Sequence, residues 1–145
     1  MTNRNRTLVL VGATGVLVSA YMHCYLYFWG GYRGISIDRV AGIDISRSFA
    51  LNAVAGLVIA ELLVLSIRFD RLAKPAAAAG VLFAIGALGA YALARTSGLL
   101  GFTEQGWSTE SVISKVAEVV AVLALGTSLL CPAVVSGPDP QPSRS

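Results

Sequence analysis

Residues 49–67 read FALNAVAGLVIAELLVLSI, 19 residues interrupted by the amide of Asn52, the carboxyl of Glu61 and, next to the end, the hydroxyl of Ser66. A run of about 20 apolar residues is the length of helix that crosses a hydrocarbon core about 30 Å thick. Lipid offers no partner for an open backbone N–H or C=O, so such a segment has to be helical. Leu, Val and Ala dominate, and nothing alternates in the ~10-residue pattern of a membrane barrel strand.

Working outward, three further segments have the same character: 7–29 upstream, and 75–94 and 112–135 downstream. The composition agrees. Over 145 residues, 55% are hydrophobic and only 13% charged, against about 25% charged in soluble domains. Mean hydropathy is +0.70. A soluble fold of this size cannot bury so much apolar surface, which leaves lipid as the solvent. The expected fold is all-α, an integral membrane four-helix bundle over residues 1–135. The tail at 136–145, SGPDPQPSRS, cannot build a core and is expected to be disordered.

The boundaries have local causes. Pro75 suits a first helical turn, where no N–H partner is needed. Ser108, Thr109, Glu110 and Ser111 offer hydroxyl caps and an acidic first turn to the fourth helix, and Pro132 lies near its end. Arg4 and Arg6 resemble the start of a secretion signal. The apolar run that follows exceeds the usual 7–15 residues and ends in aromatics, so the segment is expected to stay as a membrane helix.

The charges set an expected orientation. With the N-terminus inside, the inner segments carry Arg4, Arg6, Arg68, Arg71, Lys74 and Arg144, and the outer ones Arg33, Arg39, Arg47 and Arg95, with Lys115 near the outer end of the fourth span, six against five when it is counted. The short 68–74 loop concentrates three of these positive charges, and short loops weigh most. Both termini are therefore expected in the cytoplasm, with the chain in the cell (inner) membrane. The net charge of +3 comes without a dense basic run, so no nucleic-acid partner is expected.

The loops read two ways. Gly34–Asp38 and Gly42–Ser46 place apolar residues at alternate positions, which suits a short hairpin or, more simply, a loop whose isoleucines dip into the interface. Residues 96–109 hold Gly98, Gly101 and Gly106 with Phe102 and Trp107. Aromatics at headgroup level explain this stretch; a lid over an outward cavity is the functional alternative.

Ionisable groups at membrane depth carry a functional hypothesis by default. His23, Glu61 and Glu118 are the clear ones. At about 1.5 Å per residue, His23, Asn52, Tyr91 and Glu118 fall at similar depth on four different helices. Lys115 stands three residues before Glu118, on the same face. These five are the candidate polar intramembrane network. Glu61 is nine residues past Asn52, about half a turn around the helix at ~100° per residue, and is a separate intramembrane acid.

His23 is the sole histidine, so haem held by two histidines would need a second chain. A zinc site needs three or four ligands. Cys24 is about 100° away on the helix and Cys131 belongs to the other leaflet. No Cys-x-x-Cys occurs, so no metal or cofactor and no catalytic residue is expected. The simplest role for His23 is a neutral imidazole bonded across helices to Glu118, Asn52 or a tyrosine. Gly15 with Ser19, and Gly86 with Ala90, form small-xxx-small pairs that suit either internal packing or a homo-oligomer seam.

Three stretches, YMHCYLYFWGGYRGI, FALNAVAGLVIA and GLLGFTEQGWSTESVISKVAEVVAVLAL, resemble small four-span membrane proteins of actinobacteria. The resemblance spans most of residues 7–130 and implies a membrane setting without an activity. The expected function is a non-enzymatic accessory or interaction component of a membrane assembly, with lipid and a membrane-protein partner or second copy as its company. The alternatives are an oligomeric small-solute or ion transporter using Glu61 and Glu118, and a cofactor-binding redox protein using His23.

Overall fold

The computed structural model describes residues 3–35, 40 and 42–130. Four helices run up and down in sequence: α1 (Asn3–Phe28), α2 (Ile45–Ser66), α3 (Ala73–Thr96) and α4 (Thr109–Leu130). A 3₁₀ turn at Asp70–Leu72 leads into α3. All four helices are long and apolar enough to cross a membrane. No strand occurs among the described residues; Val40 with Ile43 and Leu99 with Phe102 form isolated bridges. Cys131, Pro132 and the tail lie outside the described residues, as do 36–39 of the first loop.

The helices start and stop where the chain supplies partners for their open backbone groups. The Asp44 side chain accepts from the Arg47 N–H at 2.9 Å, so α2 begins at Ile45, four residues ahead of its apolar run. Ser108 Oγ accepts from the Ser111 N–H at 3.1 Å and caps α4. At the end of α1 the N–H groups of Gly30 and Tyr32 fold back on the Leu26 carbonyl, at 3.1 and 3.4 Å. Gly31 makes that reversal with φ +84°, a conformation only glycine adopts without strain.

Helix α1 packs against α2 and α4, and α3 packs against the same two; α1 and α3 also meet across the bundle. One end carries the connections 29–44 and 97–108 and is called the loop end. The other holds the start of α1, the end of α4 and the α2–α3 turn, and is called the terminal end.

The bundle is inside out relative to a water-soluble one. Its interior is small: Ala13, Ala20, Ala53, Ala60, Ala84, Ala117 and Ala121 are buried. Its outside is large and apolar, with Leu17, Leu57, Val58, Leu82, Ile85, Val116 and Leu123 all exposed. Small residues let helix backbones approach closely where lipid removes the hydrophobic drive between helices. A Cβ on Gly15 would stand 2.6 Å from the Ala117 carbonyl oxygen, so the Gly15–Ser19 face of α1 is spent on α4. Around Gly86 nothing lies within 4 Å of such a Cβ; that glycine faces outward.

Candidate functional site

Near the loop end, α1 and α4 enclose a buried carboxylate. Glu118 has no exposed surface. Its Oε1 accepts from Ser19 Oγ of α1 at 2.8 Å and from Ser114 Oγ of α4 at 2.9 Å. Its Oε2 accepts from Lys115 Nζ at 2.6 Å, where the ammonium is itself largely buried. Three donors on one carboxylate, one of them charged, supply what burial in a low-dielectric interior demands. Both α4 donors follow from helical spacing, at i−4 and i−3.

The imidazole of His23 sits one turn nearer the loop end than Ser19. Its Nδ1 is 2.8 Å from the Ser19 carbonyl oxygen. A carbonyl can only accept, so in the neutral ring Nδ1 carries the hydrogen and Nε2 presents a lone pair. Nε2 has no hydrogen-bond partner among the described residues. Ser19 thus joins both halves of the site: its hydroxyl serves Glu118 and its carbonyl fixes the tautomer of His23.

Beside the pair is a cavity of about 80 Å³ to which all four helices and both loops contribute. His23 and Lys115 form part of its polar wall, with Asn52 from α2 and Tyr91 from α3. The Tyr91 hydroxyl is buried and has no hydrogen-bond partner among the described residues. Lys115 Nζ lies 5.1 Å from the Tyr91 ring centroid and 3.4 Å from the Ala87 carbonyl oxygen. Most of the wall is apolar, with Leu26, Phe49, Ala87, Ala90 and Ala94.

The loops close the top. Tyr32 packs on Phe49 with ring centroids 4.4 Å apart, and Phe102 meets Tyr32 edge-on at 5.5 Å. The Tyr32 hydroxyl donates to the Glu104 carboxylate at 3.0 Å, and the Glu104 N–H donates to the Ala94 carbonyl at 3.0 Å. Burial, reinforced by the bond to Glu104 and its negative charge, holds the Tyr32 phenol well above its usual range. Arg95 holds the second loop from outside: it donates to the Gly106 carbonyl and lies 4.8 Å from the Trp107 ring centroid.

The five network candidates therefore lie together at the loop end, by two different routes. Lys115 and Glu118 are bonded directly. His23 reaches Glu118 only through Ser19, while Asn52 and Tyr91 share the cavity without a bond to the others. Glu61 lies elsewhere, on the exposed outer face of α2. Sequence reasoning took Ser19 for a packing residue and passed over Ser114 and the Tyr32–Glu104 pair. The i−4 spacing of Ser114 from Glu118 was a usable signal; the cross-bundle partners had none, because the rotation of each helix decides them. Among the described residues no group of three His, Cys, Asp or Glu side chains is placed to hold a metal. No family model, curated protein or solved structure matches the chain.

Proposed function

We propose that the chain is a multi-pass protein of the cell membrane, both termini cytoplasmic, that performs no chemistry of its own and binds a small molecule in its loop-end cavity. It would serve as an accessory component beside another membrane protein or a second copy. The observation that carries this reading is the cavity wall: Tyr91 Oη is buried without a partner, and His23 Nε2 has none either. The unsatisfied buried Tyr91 hydroxyl costs about 1–3 kcal/mol, and a bound group that completes it would recover that cost. A bundle held together only for its own sake gains nothing from leaving them open.

Transport through Glu118 and Glu61 fits less well. Glu61 is exposed on the outer face of α2, and Val9, Val16, Leu63 and Leu125 fill the bundle between the cavity and the terminal end. A cofactor on His23 would have one protein ligand. The test is thermal unfolding in detergent against a panel of small amphipathic molecules. The wild type is expected to show saturable stabilisation by at least one, and Ala90→Leu, which fills the cavity, to lose it. A wild type that no compound stabilises sinks the reading. For orientation, a membrane-impermeant thiol reagent in intact cells should reach Arg33→Cys and spare Lys74→Cys, with Cys24 and Cys131 replaced by alanine; the reverse pattern inverts the topology.

A further inference from the structure

We infer that the cavity selects a neutral hydroxyl group carried on an apolar body, with the hydroxyl donating to His23 Nε2 and its oxygen accepting from Tyr91 or Lys115. This rests on the binding reading above and names the class of ligand.

The charge balance of the wall comes first. Lys115 is held 2.6 Å from Glu118, and Glu118 is wholly buried. The two charges cancel locally, so an ion placed among them would stand uncompensated in a medium that screens little. Glu104, at the cavity's loop side, adds a negative charge that further discourages an anion. A neutral head avoids both costs.

The tautomer comes second. With its hydrogen committed to the Ser19 carbonyl, His23 offers only an acceptor to the cavity. The occupant has to bring an O–H or N–H. The occupant's own acceptor is met by the orphaned Tyr91 hydroxyl, or by a Lys115 proton not directed at Glu118. A hydroxyl supplies donor and acceptor on a single atom.

Size and lining come third. The cavity, about 80 Å³, is several times what one water needs and about half of an apolar cavity that holds benzene. It therefore encloses a polar head and the near edge of its body. Leu26, Phe49, Phe102 and the alanine methyls of α3 offer that body an apolar wall. A soluble phenol and a membrane-borne alcohol share this chemistry, and the test separates them.

His23 is the sole histidine, so ¹⁵N-histidine labelling of the full chain in nanodiscs gives one imidazole to observe. The probes are para-cresol, its methyl ether, para-toluate and para-methylbenzylammonium. Para-cresol is expected to bind saturably, to move the Nε2 resonance, and to bind roughly tenfold or more tightly than the ether, which lacks only the donor. Ala90→Leu should abolish the Nε2 shift while keeping the helical circular dichroism of the wild type. Equal binding by the ether, the toluate or the ammonium, or cresol binding that leaves Nε2 unmoved, overturns the hydroxyl class while the cavity reading stands. If no probe binds and dodecanol also fails, the cavity reading itself falls. Where cresol does not bind, dodecanol moving Nε2 assigns the ligand to the bilayer; cresol moving Nε2 where dodecanol does not bind assigns it to the aqueous side. Both results support the class.

Discussion

At the terminal end of the bundle, Leu125 of α4 fills the space between Gly12 of α1 and Gly80 of α3, and no room is left for a Cβ on either glycine. At the loop end the corresponding interior is held by His23, Lys115 and Tyr91 around open space. Both halves are made from the same four helices and the same surplus of alanine. They differ in what the helices carry at the centre: a large aliphatic knob in glycine holes below, hydroxyls and an ion pair above. The first arrangement gains from dispersion contacts, each tiny and collectively large. The second gains little from packing and depends on hydrogen bonds that must all be completed.

That contrast can be broken most sharply at Gly15, where the α4 backbone lies directly against α1. Gly15→Val drives a branched side chain into the Ala117 carbonyl, which cannot move without α4. A loss of about 3 kcal/mol is expected, the upper end of overpacking costs, read as denaturant unfolding in mild detergent. A neutral result would mean that the two helices are not tightly joined.

The next effect separates the halves directly. Leu125→Ala should cost about 2 kcal/mol, the low end of the range for soluble cores, because a lipid reference removes the transfer part of the penalty and leaves the void. Leu26→Ala, at the cavity wall, only enlarges space already present and should cost distinctly less. Equal losses from the two changes would erase the distinction between a filled and an open half.

The helices themselves were legible in the sequence because runs of about 20 apolar residues, long enough to cross a membrane, mark them by length and composition. The span 75–94 lies inside α3 and the span 49–67 passes the end of α2 by one residue, but both leave out residues of the first helical turn. Ser46, Arg47 and Ser48 are polar and still helical, since Asp44 caps them outside the apolar depth. The site was legible only as depth. His23, Asn52, Tyr91 and Glu118 share a level because residue counts fix the rise along an axis. Which of them touch depends on rotation about that axis, and the near-uniform apolar surface of these helices gives the sequence no face to orient by. Ser19 shows the cost: the contact that ties α1 to Glu118 is made by a residue indistinguishable from packing filler.

A double-mutant cycle on Ser19→Ala and Glu118→Gln sharpens that point. Interhelical hydrogen bonds in membranes average about 0.6 kcal/mol and reach about 1.7, and a bond to a carboxylate should fall toward the upper value. Strict additivity would remove Ser19 from the site.

The smallest effect belongs to the roof. Tyr32→Phe should cost about 0.5–1 kcal/mol, the worth of one ordinary hydrogen bond. Because the folded phenol titrates above its unfolded value, its contribution is complete below about pH 10, the ordinary tyrosine value. It fades as pH rises toward the folded value. The wild type should therefore lose its advantage over Tyr32→Phe on strong alkalinisation, followed by denaturant unfolding in mild detergent across a pH series. A constant gap between the two would detach Tyr32 from Glu104.

The buried carboxylate also bears on how the chain is made. Two of the three donors to Glu118, Ser114 and Lys115, belong to its own helix. As soon as α4 coils, the acid has a counter-ion and a hydroxyl within reach, before any neighbour has arrived. Of the four helices described, α4 is made after the other three, and its charge is compensated within its own first turns, as a self-contained segment rather than one that waits for the bundle. What remains for assembly is one bond from Ser19 on α1, a helix already made when α4 emerges.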